Sequence, residues 1–103
     1  MTLAELYTQL LTTKLPVAYN AFPIGNAPAL PFICYRATDT DNFPADNGVY
    51  LPVQNVDVEL YTENKSPTDE ATVESALSGF VWEKSEDYIP DERMFCITYS
   101  ISF

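Results

Sequence analysis

Two segments set the frame for this chain. Across 53–62, Gln54, Val56, Val58 and Leu60 fall on one parity and Asn55, Asp57, Glu59 and Tyr61 on the other. Across 93–103, Phe95, Ile97, Tyr99, Ile101 and Phe103 alternate with Met94, Cys96, Thr98, Ser100 and Ser102. A two-residue period over that length is the pattern of a half-buried antiparallel strand. Strands of about ten residues span roughly 33 Å, whereas a compact chain of 103 residues has a radius of gyration near ~13 Å. Such strands cross the whole domain, so the polar segment at 38–50 is expected to project beyond it as a long loop.

The remaining elements follow from local chemistry. Thr2-Leu3-Ala4-Glu5 is a capping box, and Leu3, Leu6, Tyr7, Leu10 and Leu11 follow at helical spacing, so a helix is expected over 2–13, stopped by Pro16. Residues 16–22 read as a short strand. Pro23, Gly25, Asn26, Pro28 and Pro31 mark a loop, and 31–37 is an apolar strand suited to a covered, central position. Asn47-Gly48 is a turn signal. Ser66-Pro67-Thr68-Asp69 starts a second helix over 66–79, with Val73, Ala76, Leu77 and Phe80 inward, Glu70 and Glu74 outward, and Gly79 at its end. A strand at 81–88 and a Pro90 turn complete the order α-β-β-β-α-β-β. The expected architecture is one α+β domain over 1–103, with two helices packed on one face of a mainly antiparallel sheet of four or five strands.

Composition narrows the function. Fifteen acidic and five basic residues give a formal charge of −10, which disfavours specific or non-specific nucleic-acid binding and anionic membranes. The absence of histidine removes imidazole bases, Ser-His triads and His-ligated metals. The N-terminus has no signal-peptide pattern and no window suits a membrane span, so folding in a cytoplasm is expected.

Asp39, Asp41, Asn42, Asp46 and Asn47 cluster in sequence, but Phe43-Pro44 breaks the ligand spacing of a calcium loop and no glutamate closes it. Glu83, Glu86, Asp87, Asp91 and Glu92 read as a solvated acidic face rather than a catalytic carboxylate pair. Cys34 and Cys96 lie in apolar runs and read as buried free thiols. An inter-strand disulfide and a thiol activated by Arg36 stay open as lesser options. No catalytic residue, metal site or cofactor is expected. Core filling accounts for Tyr7, Phe32, Phe80, Phe95 and Tyr99. Phe43, Tyr50, Tyr61 and Phe103 fall in a loop, on a polar face or at the terminus, and are the candidate interface anchors.

Several segments carry a whole-chain resemblance. They are Leu15-Pro16-Val17-Ala18-Tyr19 through Phe22, Pro31-Phe32-Ile33-Cys34-Tyr35, Asp41-Asn42-Phe43-Pro44-Ala45-Asp46-Asn47, Val58-Glu59-Leu60-Tyr61-Thr62 and Tyr88-Ile89-Pro90-Asp91-Glu92-Arg93-Met94-Phe95. Together they resemble a tail terminator, or tail completion, family of tailed bacteriophages and prophages of low-GC Gram-positive bacteria. The resemblance implies a non-enzymatic virion protein at the head–tail junction, made in the host cytoplasm. It implies a homo-oligomeric, hexameric ring that caps the tail tube, contacts the major tail protein and a head-closure or neck protein, and lets DNA pass through. The competing expectations are another neck, head-closure or minor capsid component and, from a different class, an acidic DNA-mimic inhibitor. A small hydrolase is the weakest of them.

Overall fold

The computed structural model describes the chain except Ile24, Asn26, Asp46 and Asn47, and leaves the side chains of residues 42–45 and 49–52 outside the description. The elements run α1 (Leu3–Leu11), β1 (Val17–Tyr19), β2 (Phe32–Ala45), β3 (Gly48–Thr62), α2 (Pro67–Ala76), β4 (Glu83–Ile89) and β5 (Met94–Ser102). They form the expected α+β fold: a five-stranded sheet of order β1-β2-β3-β5-β4. β1 pairs with β2 in parallel, and the other pairings among the described residues are antiparallel.

Both helices are started by their caps. Thr2 Oγ1 accepts from the Glu5 amide and Glu5 Oε1 accepts from the Thr2 amide, each at 3.1 Å. Ser66 Oγ accepts from the Asp69 amide at 3.3 Å ahead of Pro67 in the first turn. Leu6 and Leu10 of α1, with Val73 and Leu77 of α2, are fully buried.

The sheet residues they meet share one parity. Register sets Ile33 opposite Leu60, Tyr35 opposite Val58, Val58 opposite Tyr99 and Leu60 opposite Ile97. These side chains, with Val56 and Ile101, join the four helical ones in a single core. The parity expected for β3 and β5 is therefore the parity observed.

Two expectations need correction. The segment at 38–50 is not a loop. The β2–β3 ladder continues through Asp41 opposite Val53 and Phe43 opposite Leu51 to Ala45 opposite Gly48. Register shifts at Ala37/Asp39 and Phe43/Pro44 absorb the irregular residues. β5 leaves the sheet at Ser102 opposite Asn55, with Phe103 bonding Gln54 in both directions at 2.7 and 2.9 Å. Residues 41–45 and 48–53 thus form a two-stranded arm that pairs with no third strand among the described residues, and the molecule measures 49 × 27 × 22 Å. The turn expected at Asn47-Gly48 lies outside the described residues at Asn47.

The second correction concerns Glu70 and Glu74, which are not turned to solvent. Glu70 is 4% exposed and is held by Lys84 at 2.9 Å and Lys65 at 2.7 Å. Lys84 also reaches Glu74 at 3.0 Å, and the Tyr99 hydroxyl donates to Glu74 Oε2 at 2.7 Å. The cause is register: Lys84 stands opposite Tyr99 on the helix-facing side of the sheet, directly beneath α2. Burial acts to raise the Glu70 and Glu74 carboxyls, but the hydrogen bonds that hold them outweigh it and leave both below their ordinary value.

Leu60 is fully buried on the middle strand, against both neighbouring strands, so Leu60→Ala should lower unfolding free energy by about 2–5 kcal/mol in urea titrations. Val81→Ala, at a site 94% exposed, should stay within about 0.5 kcal/mol of wild type.

Candidate interaction surface

The sheet has a second face that no helix among the described residues covers. Its residues are the opposite parity: Phe32, Cys34 and Arg36 on β2, Asn55 to Tyr61 on β3, and Met94 to Ser102 on β5. It divides into two ends of different chemistry.

The end nearest the arm is polar. Asn55 Nδ2 donates to Asp39 Oδ1 at 2.8 Å and to Asp41 Oδ2 at 3.0 Å. Ser102 Oγ donates to Asn55 Oδ1 at 2.6 Å, and Ser100 Oγ to Asp57 Oδ1 at 3.0 Å. Asp39 and Asp41 therefore tie the base of the arm to the sheet. Among the described residues no group of three histidine, cysteine or acidic side chains is arranged to hold a metal.

The far end is apolar. Phe22, Phe32, Cys34, Tyr61, Ile89 and Met94 line a hollow of about 280 Å³, bordered by Ala21 and Ala27 from the connection ahead of β2. Phe32 packs edge-on to Phe22, with ring centroids 5.1 Å apart, and tilts against Tyr61 at 5.3 Å. This volume is at the small end of the ~300–1,000 Å³ typical of ligand pockets, so it suits inserted side chains better than a cofactor.

Between the two ends lies Glu59, its side chain 17% exposed with Arg36 3.9 Å away. Burial raises its carboxyl above the ordinary 4.5, Arg36 pulls it back in part, and Asp57 pushes it up again. The thiols respond to the same setting. Burial first, then the Glu59 charge, pushes Cys34 up to about 11, and burial raises Cys96. Activation of Cys34 by Arg36 is therefore overturned, because the guanidinium is committed to Glu59. The disulfide is overturned as well. β3 runs between the strands bearing the two cysteines, which sets their Cα atoms at least about 9 Å apart, beyond the ~7 Å limit. Both are free.

The four candidate anchors do not converge. Tyr61 is a half-buried wall of the apolar hollow, and burial raises its phenol. Phe103 is half-buried at the other end of the chain's own core, against Phe80 with centroids 5.9 Å apart. Phe43 and Tyr50 belong to the arm by their backbone pairing, while their side chains lie outside the described residues. The hollow itself escaped sequence reasoning. Its walls come from four separate stretches, and only the β3–β5 pairing brings Met94 beside Tyr61. Among the described residues no helix is long and apolar enough to cross a membrane.

A comparison with protein-family models finds no match, and neither does a comparison with curated proteins.

A raised folded-state pKa means that ionised Glu59 opposes folding above that pKa, and that the penalty is gone below the unfolded value near 4.5. Glu59→Gln should therefore raise the Tm at pH 7, with the gain shrinking as the pH falls toward 4.5. In native protein at pH 8, Cys34 and Cys96 should label with a thiol reagent far more slowly than in urea.

Proposed function

We propose that this chain is a structural virion protein at the head–tail junction of a tailed bacteriophage. It acts as a ring subunit that caps the tail tube and offers the head its docking surface. The observation that carries the reading is the arm at 41–45 and 48–53, a ribbon that reaches away from the domain with both outer edges unpaired among the described residues. Two-stranded ribbons are marginal in water on their own, and a domain that builds one has a use for it against another surface. The resemblance of the whole chain to tail terminator proteins points the same way. The high negative charge fits a ring through which DNA passes without sticking, because an acidic lumen repels phosphate.

Subunits of the same sign repel one another, so association is expected to strengthen as salt screens them over a Debye length of ≈ 10 Å at 0.1 M. The direct experiment is quantitative mass spectrometry of purified particles, alongside particles made without this chain. The reading expects about six copies per particle, the number that the resemblance implies for a closed ring, and unjoined heads and tails when the chain is missing. Absence of the chain from particles, with normal joining in the deletion, overturns it.

A further inference from the structure

The arm and the apolar hollow lie at opposite ends of the same sheet. β2 enters beside the hollow at Phe32 and leaves through the arm, and β3 returns from the arm to the hollow at Tyr61. A chain cannot bring its own arm to its own hollow without dismantling the sheet between them. From this placement we infer that the arm of one copy docks in the apolar hollow of the next, making a head-to-tail contact between identical subunits. The inference rests on the ring reading and names the surfaces that build the ring.

Each surface lacks what the other supplies. Among the described residues the arm has no third strand, and its sequence holds Phe43, Val49, Tyr50, Leu51 and Val53. The hollow is the apolar part of a face whose other end is polar, and it is lined by Phe22, Phe32, Tyr61 and Met94. Charge agrees locally. Asp39 and Asp41 stand at the base of the arm, which holds no basic residue. Arg93 sits exposed beside Met94 and forms no ion pair among the described residues. Asp91 and Glu92 share its turn, so the attraction is confined to the guanidinium.

Size argues for a contact that is repeated, as identical copies repeat it around a closed ring. Five strand residues reach about 17 Å, and a two-stranded ribbon is about 10 Å wide. One face of the arm thus offers on the order of 170 Å², far below the roughly 600–1,000 Å² per partner of a stable complex. A single contact is weak. A head-to-tail contact repeated around a closed ring gives every subunit two of them and links their formation. The chain is accordingly expected as a monomer when dilute and as a ring when concentrated in salt.

The test uses full-length chains with one surface disabled in each. Phe43→Asp with Leu51→Asp disables the arm. Ala27→Glu places a charge at the rim of the hollow, at an exposed position where the fold tolerates it. Circular dichroism verifies that both variants keep the wild-type spectrum. Species are counted by mass after cross-linking in high salt. Wild type should form rings, and each variant alone should need a concentration higher by roughly tenfold or more. An equimolar mixture retains one good arm and one good hollow, so it should give a heterodimer and go no further. Rings from either variant at the wild-type concentration, or no cross-linked heterodimer in the mixture at concentrations well above it, overturn this contact while leaving the ring reading intact. Wild type that stays monomeric under all conditions, and single-copy in particles, overturns both.

Discussion

The parity of β3 is the constraint on which the rest depends. Val56, Val58 and Leu60 lie on one side of the strand at the middle of the sheet, almost wholly buried. Asn55, Asp57, Glu59 and Tyr61 lie on the other. A slip of one residue would put the carboxylates of Asp57 and Glu59 under the helices and expose the aliphatic row. Because β3 pairs with β2 on one side and β5 on the other, its register fixes theirs. That register stacks Ile33, Tyr35, Ile97, Tyr99 and Ile101 on the same core. It also sets Lys84 opposite Tyr99, which lets α2 bury Glu70 without leaving the charge unpaired.

The same register builds the uncovered face. Side chains that alternate away from the helices produce a polar end bound together by Asn55, Ser100 and Ser102 and an apolar end around Tyr61. Glu59 stands at the border, where partial burial penalises its charge, while burial first and the Glu59 charge second hold the Cys34 thiol protonated. The thiols are thereby packing groups. What distinguishes this face is its shape and polarity, with an arm at one end and a hollow at the other.

The capping box of α1, the Ser66-Pro67 start of α2, the two long alternations and the element order were legible in the sequence because each is written in neighbouring residues. Thr2 and Glu5 lie three apart, and Val56, Val58 and Leu60 two apart. The arm was not legible. Asp39, Asp41, Asn42, Pro44 and Asn47 are turn-forming residues by composition, and pairing across the hairpin overrides that preference. Glu70 and Glu74 read as solvent-facing because their partner Lys84 lies on another element. Tyr61 and Phe103 were singled out for lying on a polar face and at the end of the chain. Their packing against Phe32 and Phe80 needs the strand pairing to be seen. The hollow needs it too, since Phe22, Tyr61 and Met94 meet only once β5 lies beside β3.

The account turns on the arm being completed by a neighbour, and amide hydrogen exchange reads that directly. In dilute protein the amides of residues 41–45 and 48–53 should exchange fast while those of Val58 and Leu60 are protected, since marginal ribbons open readily and core strands do not. In concentrated, high-salt protein the arm should become protected together with the hollow residues Ala21, Phe22, Ala27, Phe32 and Cys34, with Val58 and Leu60 unchanged. Equal exchange of the arm in both states, or protection of the arm with none at the hollow, would contradict the account.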